Sequence, residues 1–331
     1  MSVPKLITSD RELIDFGAQM LTAWWRLTMQ ALFDTMGTAK ALEMITPNIK
    51  AHGRAAGLIF PEQLGKMGYR DCPDYIKMNA VYQFYNLMCR RSFKDTEITT
   101  KGLKGGEVTS CPFQNDIVDI CKILCDMIGS EVAAAINPDL GTVPMKLKLT
   151  AGDPCCSGGL TYKGKSLFED GETIATVRRV RIPKEQLDYM LFAWMGEMWS
   201  IASNSTVEFF GEEGALELLM PYMKQNGMAT ALQLKERLKL EGSNAQTIGE
   251  IIDYCNAAVQ QKGWIVLSSP NHFEKEITEC PFYGMSHTIC SGLLAARSNG
   301  ICNAINPDYG FFSNQRMCKG DKVCNWVVKK R

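Results

Sequence analysis

The sequence predicts an α+β protein built as a tandem duplication. Each copy is a helical front plus a small antiparallel sheet with a cysteine-bearing helix. Three observations carry this reading. The motif Cys111-Pro112-Phe113 returns as Cys280-Pro281-Phe282. At the same spacing Cys121 meets Cys290, and Ile136-Asn137-Pro138-Asp139 meets Ile305-Asn306-Pro307-Asp308. One residue closer, Gly152-Asp153 and Cys156 meet Gly320-Asp321 and Cys324. Upstream, Trp25, Gly37, Ala41-Leu42-Glu43, Pro47, Lys50 and Gly53 align without gaps on Trp199, Gly211, Ala215-Leu216-Glu217, Pro221, Lys224 and Gly227. Second, the hydrophobic spacing in each copy changes from a helical period to short alternating runs. Third, 331 residues with 46% hydrophobic content supply two domains of ordinary size with a core each.

The first copy spans 1–163, with helices over 10–90 and a cysteine-rich α+β part over 91–163. The second spans 186–331, with helices over 186–261 and the cysteine-rich part over 262–331. Residues 164–185, charged and without helical spacing, read as a connection.

Each copy opens with an amphipathic helix, marked by Leu13, Phe16, Met20 and Trp24 or by Leu187, Leu191 and Trp194. A second helix follows Gly37 or Gly211, and Pro47 or Pro221 is expected to kink or limit it. A third covers about 75–88 or 245–261. Glu97–Thr100, Lys104–Gly106 and Glu107–Thr109 read as a hairpin; Trp264–Leu267 and Glu276–Thr278 are its counterpart, turning at Ser-Pro-Asn. The cysteine-bearing helix runs over about 114–136 or 284–305 and stops before proline, which disfavours helical backbone at the residue preceding it. A closing hairpin turns at Gly-Asp. The alternation in Arg178-Arg179-Val180-Arg181 suits the solvated face of a strand.

Lys+Arg and Asp+Glu number 36 each. A nucleic-acid binder usually carries a basic excess, so that class is disfavoured. No apolar run reaches the length of a membrane span, and the N-terminus lacks the pattern of a signal peptide. The expectation is a soluble cytoplasmic protein acting on a small-molecule substrate or ligand, with no nucleic acid, no membrane and room for a homodimer. Loops for phosphates or dinucleotides, zinc-protease helices and serine elbows are all missing from the sequence.

Thirteen cysteines, an odd number without an export signal, argue against a disulfide framework. Three recur in both copies: Cys111/Cys280, Cys121/Cys290 and Cys156/Cys324. Cys125 lies one helical turn beyond Cys121, and Cys155, Cys302 and Cys318 are private to one copy. Three converging thiolates plus a fourth ligand suit zinc or an iron–sulfur cluster, with Cys125 or Cys155 completing the first set and Cys318 or His287 the second. Nucleophilic or site-lining thiols remain as open as metal ligands, with plain packing the remaining alternative. His287, one turn before Cys290, equips only the second copy for a histidine-assisted cysteine. Asp139/Asp308 and Asp153/Asp321 read first as turn formers, and Trp25/Trp199 as core.

The segment Cys111-Pro112-Phe113, Cys121-x3-Cys125-Asp126 and Gly152-Asp153-x2-Cys156 resembles the L-2-amino-thiazoline-4-carboxylic acid hydrolase family. Met317–Trp326 is also similar to four-vinyl-reductase-type domains, small-molecule binders of which some hold zinc. The helical fronts resemble a module found ahead of such domains. The hydrolase resemblance covers about a third of the chain. It implies hydrolytic opening of a small cyclic C–N/C–S substrate bearing a carboxylate, with Cys121, Cys125, Asp126 and Cys156 as site residues. The second copy has Leu294-Ala295 in place of Cys125-Asp126, and Gln315 where the reductase-type zinc pattern has an acid. Two functions follow: a hydrolase using pocket cysteines, or a duplicated small-molecule- or metal-binding module without turnover.

Overall fold

The computed structural model describes residues 10–113, 122–169, 171–282 and 289–331. It is a mixed helix-and-sheet protein in which all paired strands run antiparallel among the described residues, apart from one isolated parallel bridge. The elements are, in order, α1 (Asp10–Met36), α2 (Thr38–Lys66), α3 (Asp74–Met88), β1 (Ser92–Phe93), β2 (Thr96–Thr99), β3 (Leu103–Gly105), β4 (Val108–Ser110), α4 (Ile128–Ile136), β5 (Leu140–Leu147), β6 (Ser157–Tyr162), β7 (Lys165–Ser166) and β8 (Thr173–Thr176). There follow α5 (Lys184–Arg237), α6 (Ala245–Ala258), β9 (Lys262–Ser269), β10 (His272–Glu279), α7 (Leu294–Ile305), β11 (Tyr309–Gln315) and β12 (Cys324–Lys330). No described helix is long and apolar enough to cross a membrane.

The chain forms two compact units. The central unit is Thr38–Leu191, and the C-terminal unit joins the residues up to Gly37 to Phe192–Arg331. The units are thus divided differently from the sequence copies. α1 groups with the C-terminal residues, where Trp24 and Trp199 meet at 4.8 Å between ring centroids and Trp25 and Trp199 are fully buried. Burying such large side chains is worth more than keeping α1 beside its sequence neighbours.

Three local expectations are corrected. Residues 164–185 are more than a connection: β8 pairs with β2 and β7 with β6, because the extended Thr-rich stretch supplies β-prone residues to a free edge. The segment 178–181 is no strand; Val180 is buried, its N–H donates to Gln83 Oε1, and Arg179 pairs with Asp95. Finally, α2 continues through Pro47 and α5 through Pro221. Both prolines and the residues four before them, Glu43 and Glu217, are exposed, so water takes the carbonyl that proline leaves unbonded. α5 breaks instead at Gly211 (φ 72°), the counterpart of Gly37 (φ 78°) between α1 and α2.

In the C-terminal unit the sheet order is β11-β12-β10-β9. Alternation along β10 turns Phe273, Lys275 and Ile277 inward, and Phe273 stacks on Trp326 of β12 at 5.6 Å. In the central unit the strands divide into β3-β2-β8, β5-β6-β7 and β1-β4. There α2 packs on α4 through Gly53 and Gly57, where a Cβ would sit 2.9 Å from Glu131 Cβ and 2.6 Å from Ala135 Cβ.

Candidate functional site

Each unit holds one cysteine-lined cavity, assembled by the same four local structures. The first is a π-helical turn at the head of the cysteine-bearing helix, Lys122–Met127 before α4 and Ile289–Leu293 before α7. Such wide turns leave the regular ladder and recur at functional sites. They carry Cys125 and Cys290.

The second structure is the link in the closing hairpin. A short 3₁₀ turn, Leu149–Ala151 or Met317–Lys319, ends at Gly152 (φ 87°) or Gly320 (φ 94°), a left-handed position suited to glycine. Asp153 Oδ2 accepts from Lys148 N at 2.7 Å, and Asp321 Oδ2 accepts from Arg316 N at 2.7 Å. Both aspartates therefore build the turn. The same turn fixes a sulfur: Leu149 N donates to Cys156 Sγ, and Met317 N to Cys324 Sγ, each at 3.2 Å. Burial raises both thiol pKa values, and these N–H donors partly offset it.

The third structure brings the strands together. Val108 and Cys156 exchange backbone hydrogen bonds at 3.0 and 2.8 Å, and Ile277 pairs with Cys324 in the β10–β12 ladder. The fourth is the end of the helix preceding the strands. Arg90 (φ 55°) and Gln260 (φ 62°) take the left-handed conformation, and Arg91 N and Gln261 N reach back to Asn86 O and Asn256 O. This turn aims the next side chain at the cysteines. Arg91 bonds the sulfur of Cys111 and lies 3.6 Å through Nη2 from Cys125 Sγ. Gln261 donates to Cys280 Sγ at 3.3 Å.

The central cavity, about 80 Å³, is lined by Tyr82, Arg91, Cys125, Asp126 and Cys156 among others. Arg91 Nε is buried without a hydrogen-bond acceptor. Burial opposes the Arg91 charge, but the Cys125, Cys89 and Cys111 sulfurs outweigh it and raise its pKa. Tyr82 is held protonated by burial and by Cys125 and Asp126. Behind the site, burial pushes the Cys89 thiol up to about 12.

The C-terminal cavity, about 70 Å³, is lined by Cys255, Cys290, Arg297, Arg316, Cys324 and Trp326 among others. Burial, then Cys318, which hydrogen-bonds to it, and then Cys280 and Cys324 push the Cys290 thiol far up. Cys302 is buried, with its thiol pushed up to about 12 by burial.

Of the residues singled out from the sequence, Cys121 and His287 lie outside the described residues. Cys111, Cys125, Asp126 and Cys156 come together in the central unit, and Cys280, Cys290, Cys318 and Cys324 in the C-terminal unit. Among the described residues no group of three or more His, Cys, Asp and Glu is arranged to hold a metal ion. Asp139 and Asp308 donate their backbone N–H to Asn137 and Asn306, as turn formers do. Sequence reasoning missed Arg91, Tyr82, Gln261, Arg297 and Trp326. The only available signal for the first was a basic residue just past a helix end, at nearly the spacing from Cys-Pro-Phe that Gln261 has.

No family model matches the chain, and no curated protein or solved structure matches it.

Proposed function

We propose that the chain binds a small carboxylate-bearing molecule in the central cavity and hydrolyses a cyclic C–N or C–S bond there. The observation that supports this is the guanidinium of Arg91 beside Cys125 in a cavity shared with Asp126 and Cys156. Arg91 sets its positive charge beside the Cys125 sulfur and leaves Nε free to bind an anionic group. Cys125 attacks the amidine-like carbon, Asp126 delivers the proton to the departing nitrogen or sulfur, and water releases the product.

The paired local geometry of the two units is read as the trace of one duplicated unit. The described cysteines are all free, which fits a reducing, cytoplasmic compartment. The second reading, a binder without turnover, is favoured for the C-terminal cavity alone, where the Cys290 thiol stays protonated.

The test is turnover of 2-aminothiazoline-4-carboxylate and related cyclic amidines, followed by release of free thiol or amine. Cys125→Ser and Asp126→Asn are expected to lower the rate ~100-fold or more, as loss of a nucleophile or proton donor does, while Cys290→Ser leaves it near the starting value. Equal losses in Cys125→Ser and Cys290→Ser, or no turnover of any member of that set, would overturn the assignment.

A further inference from the structure

We infer that the C-terminal unit contains a second ligand site, for a small organic carboxylate, built on Arg297. It stands on its own observations and does not require chemistry in the central cavity.

Arg297 is 4% exposed. Its partners among the described residues are Asn226 Oδ1 (3.3 Å from Nε), Cys255 Sγ (3.2 Å from Nη2), Met20 Sδ (3.7 Å from Nη2) and the Trp24 ring, 5.2 Å below the guanidinium. None is a carboxylate. Asn226 is already shared, since its Oδ1 also accepts from Trp24 Nε1 at 3.1 Å. Residues 1–9 and 283–288, which complete this unit in sequence, contain no Asp or Glu. A guanidinium taken out of water without a counterion is costly, and soft sulfur and ring contacts compensate it only in part.

A second, independent observation lies in the same cavity. Trp326 is 4% exposed, lines the cavity, and its Nε1–H has no acceptor. A buried indole N–H normally finds one. An incoming carboxylate supplies what both groups lack. One oxygen and the negative charge go to Arg297, and a lone pair goes to Trp326 Nε1. Half-buried Arg316 adds positive charge to the same cavity.

The walls narrow the ligand class. Trp24, Val259, Ile277 and Phe311 give the cavity an apolar side, which suits an organic body better than a bare inorganic ion. About 70 Å³ accommodates a handful of heavy atoms and excludes nucleotides. Gly227 makes the arrangement possible: its Cα hydrogen faces Arg297 O, so α5 approaches α7 closely enough for Asn226 to reach the guanidinium.

The experiment titrates the full chain with propionate, and with inorganic phosphate as a comparison, reading tryptophan fluorescence and melting temperature. Propionate is expected to saturate and to raise the melting temperature. Trp326→Phe removes the unsatisfied N–H together with part of the ring that packs on Phe273 and Phe311. It is expected to fold with a lower melting temperature, as a buried large-to-small change does, and to bind propionate ~5–10-fold more weakly, while Arg297→Lys weakens it ~10–100-fold. Arg91→Ala is expected to leave this binding unchanged. No saturable signal at tens of millimolar, undiminished binding in Trp326→Phe and Arg297→Lys, or phosphate binding as tightly as propionate would each overturn the assignment.

Discussion

At the end of α3, Arg91 reaches two cysteine sulfurs; at the matching end of α6, Gln261 reaches one. The C-terminal unit places its buried cation elsewhere, on α7 at Arg297, where the central unit has Ile128. Two cavities with the same scaffold thus differ in what the cation faces. In one the guanidinium lies against the sulfurs of Cys111 and Cys125. In the other it lies against Asn226, the sulfurs of Cys255 and Met20 and the Trp24 ring, while burial raises the Cys290 and Cys324 thiols across the cavity. The same contrast runs through the supporting networks. The C-terminal unit buries an ion pair, Lys275–Asp253, between β10 and α6. At the position matching Asp253, the central unit has Gln83, which accepts from Val180 N and donates to Asn79 in a chain ending at Thr96.

This contrast makes the largest prediction. Lys275 is 5% exposed, so Lys275→Ala strands the Asp253 carboxylate in the interior at a cost of about 3–5 kcal/mol. Gln83→Ala leaves only neutral groups unsatisfied and should cost about 1–3 kcal/mol. Denaturant unfolding of both variants checks the ranking. Equal losses would mean that the two networks are energetically alike despite their chemistry, and the comparison would fail.

The second prediction concerns helix contacts. A Cβ at Gly227 would stand 2.0 Å from Arg297 O, and one at Gly300 would stand 2.1 Å from Lys224 O, so two backbones touch reciprocally. The matching pair in the central unit is Gly53 with Glu131, where the nearest atom is a side-chain Cβ at 2.9 Å. Glu131 there accepts from Arg54 at 2.5 Å, a pairing the glycine at 300 cannot make. Gly227→Ala must push helices apart and should cost about 1–3 kcal/mol. Gly53→Ala needs a smaller adjustment and regains about 0.5–1 kcal/mol of helix propensity, so its net effect is near zero. Thermal melts of the two variants separate these outcomes; a neutral Gly227→Ala would remove the argument for a tight α5–α7 crossing.

Much of the scaffold was legible in the sequence because it is written in residue types with few conformational options. Asn-Pro-Asp ends both cysteine-bearing helices, Gly-Asp turns both closing hairpins, and Gly37 and Gly211 both take positive φ. Of the cysteines that come together, Cys111, Cys156, Cys280, Cys290 and Cys324 were singled out by the repeat, whereas Cys125 and Cys318 belong to one copy each. What stayed hidden depends on tertiary placement. Arg91 looks like any basic residue after a helix until the left-handed Arg90 turns it inward. Arg297 sits in a helix among polar residues, and nothing in its spacing says that Trp24 of α1 lies under it. The grouping of α1 was hidden for the same reason, since the repeat gives each copy its own first helix. The prolines misled on where the helices end because a local rule about lost hydrogen bonds ignores which face of the helix meets water.

The smallest prediction uses a pair of identical residues with different partners. Asn137 and Asn306 end α4 and α7 in the same extended conformation. The amide of Asn137 donates to Asp74 Oδ2 at 2.8 Å, whereas that of Asn306 donates to the backbone carbonyl of Ser243 at 2.9 Å. The Asn137 hydrogen bond, together with Lys77, holds the Asp74 carboxyl below the usual carboxylate range. A depressed carboxyl stabilises the fold above its unfolded pKa and loses that contribution as pH falls through the folded one. Acidification should therefore release Asn137 while leaving Asn306 in place. Asp74 is 38% exposed, so the contribution is screened and stays below about 1 kcal/mol. The side-chain amide resonances report it directly: those of Asn137 should move at acid pH, those of Asn306 should not, and Asp74→Asn should abolish the movement. Matching titrations of both amides would show that the acid response belongs to the shared scaffold and not to the carboxylate that only the central unit carries.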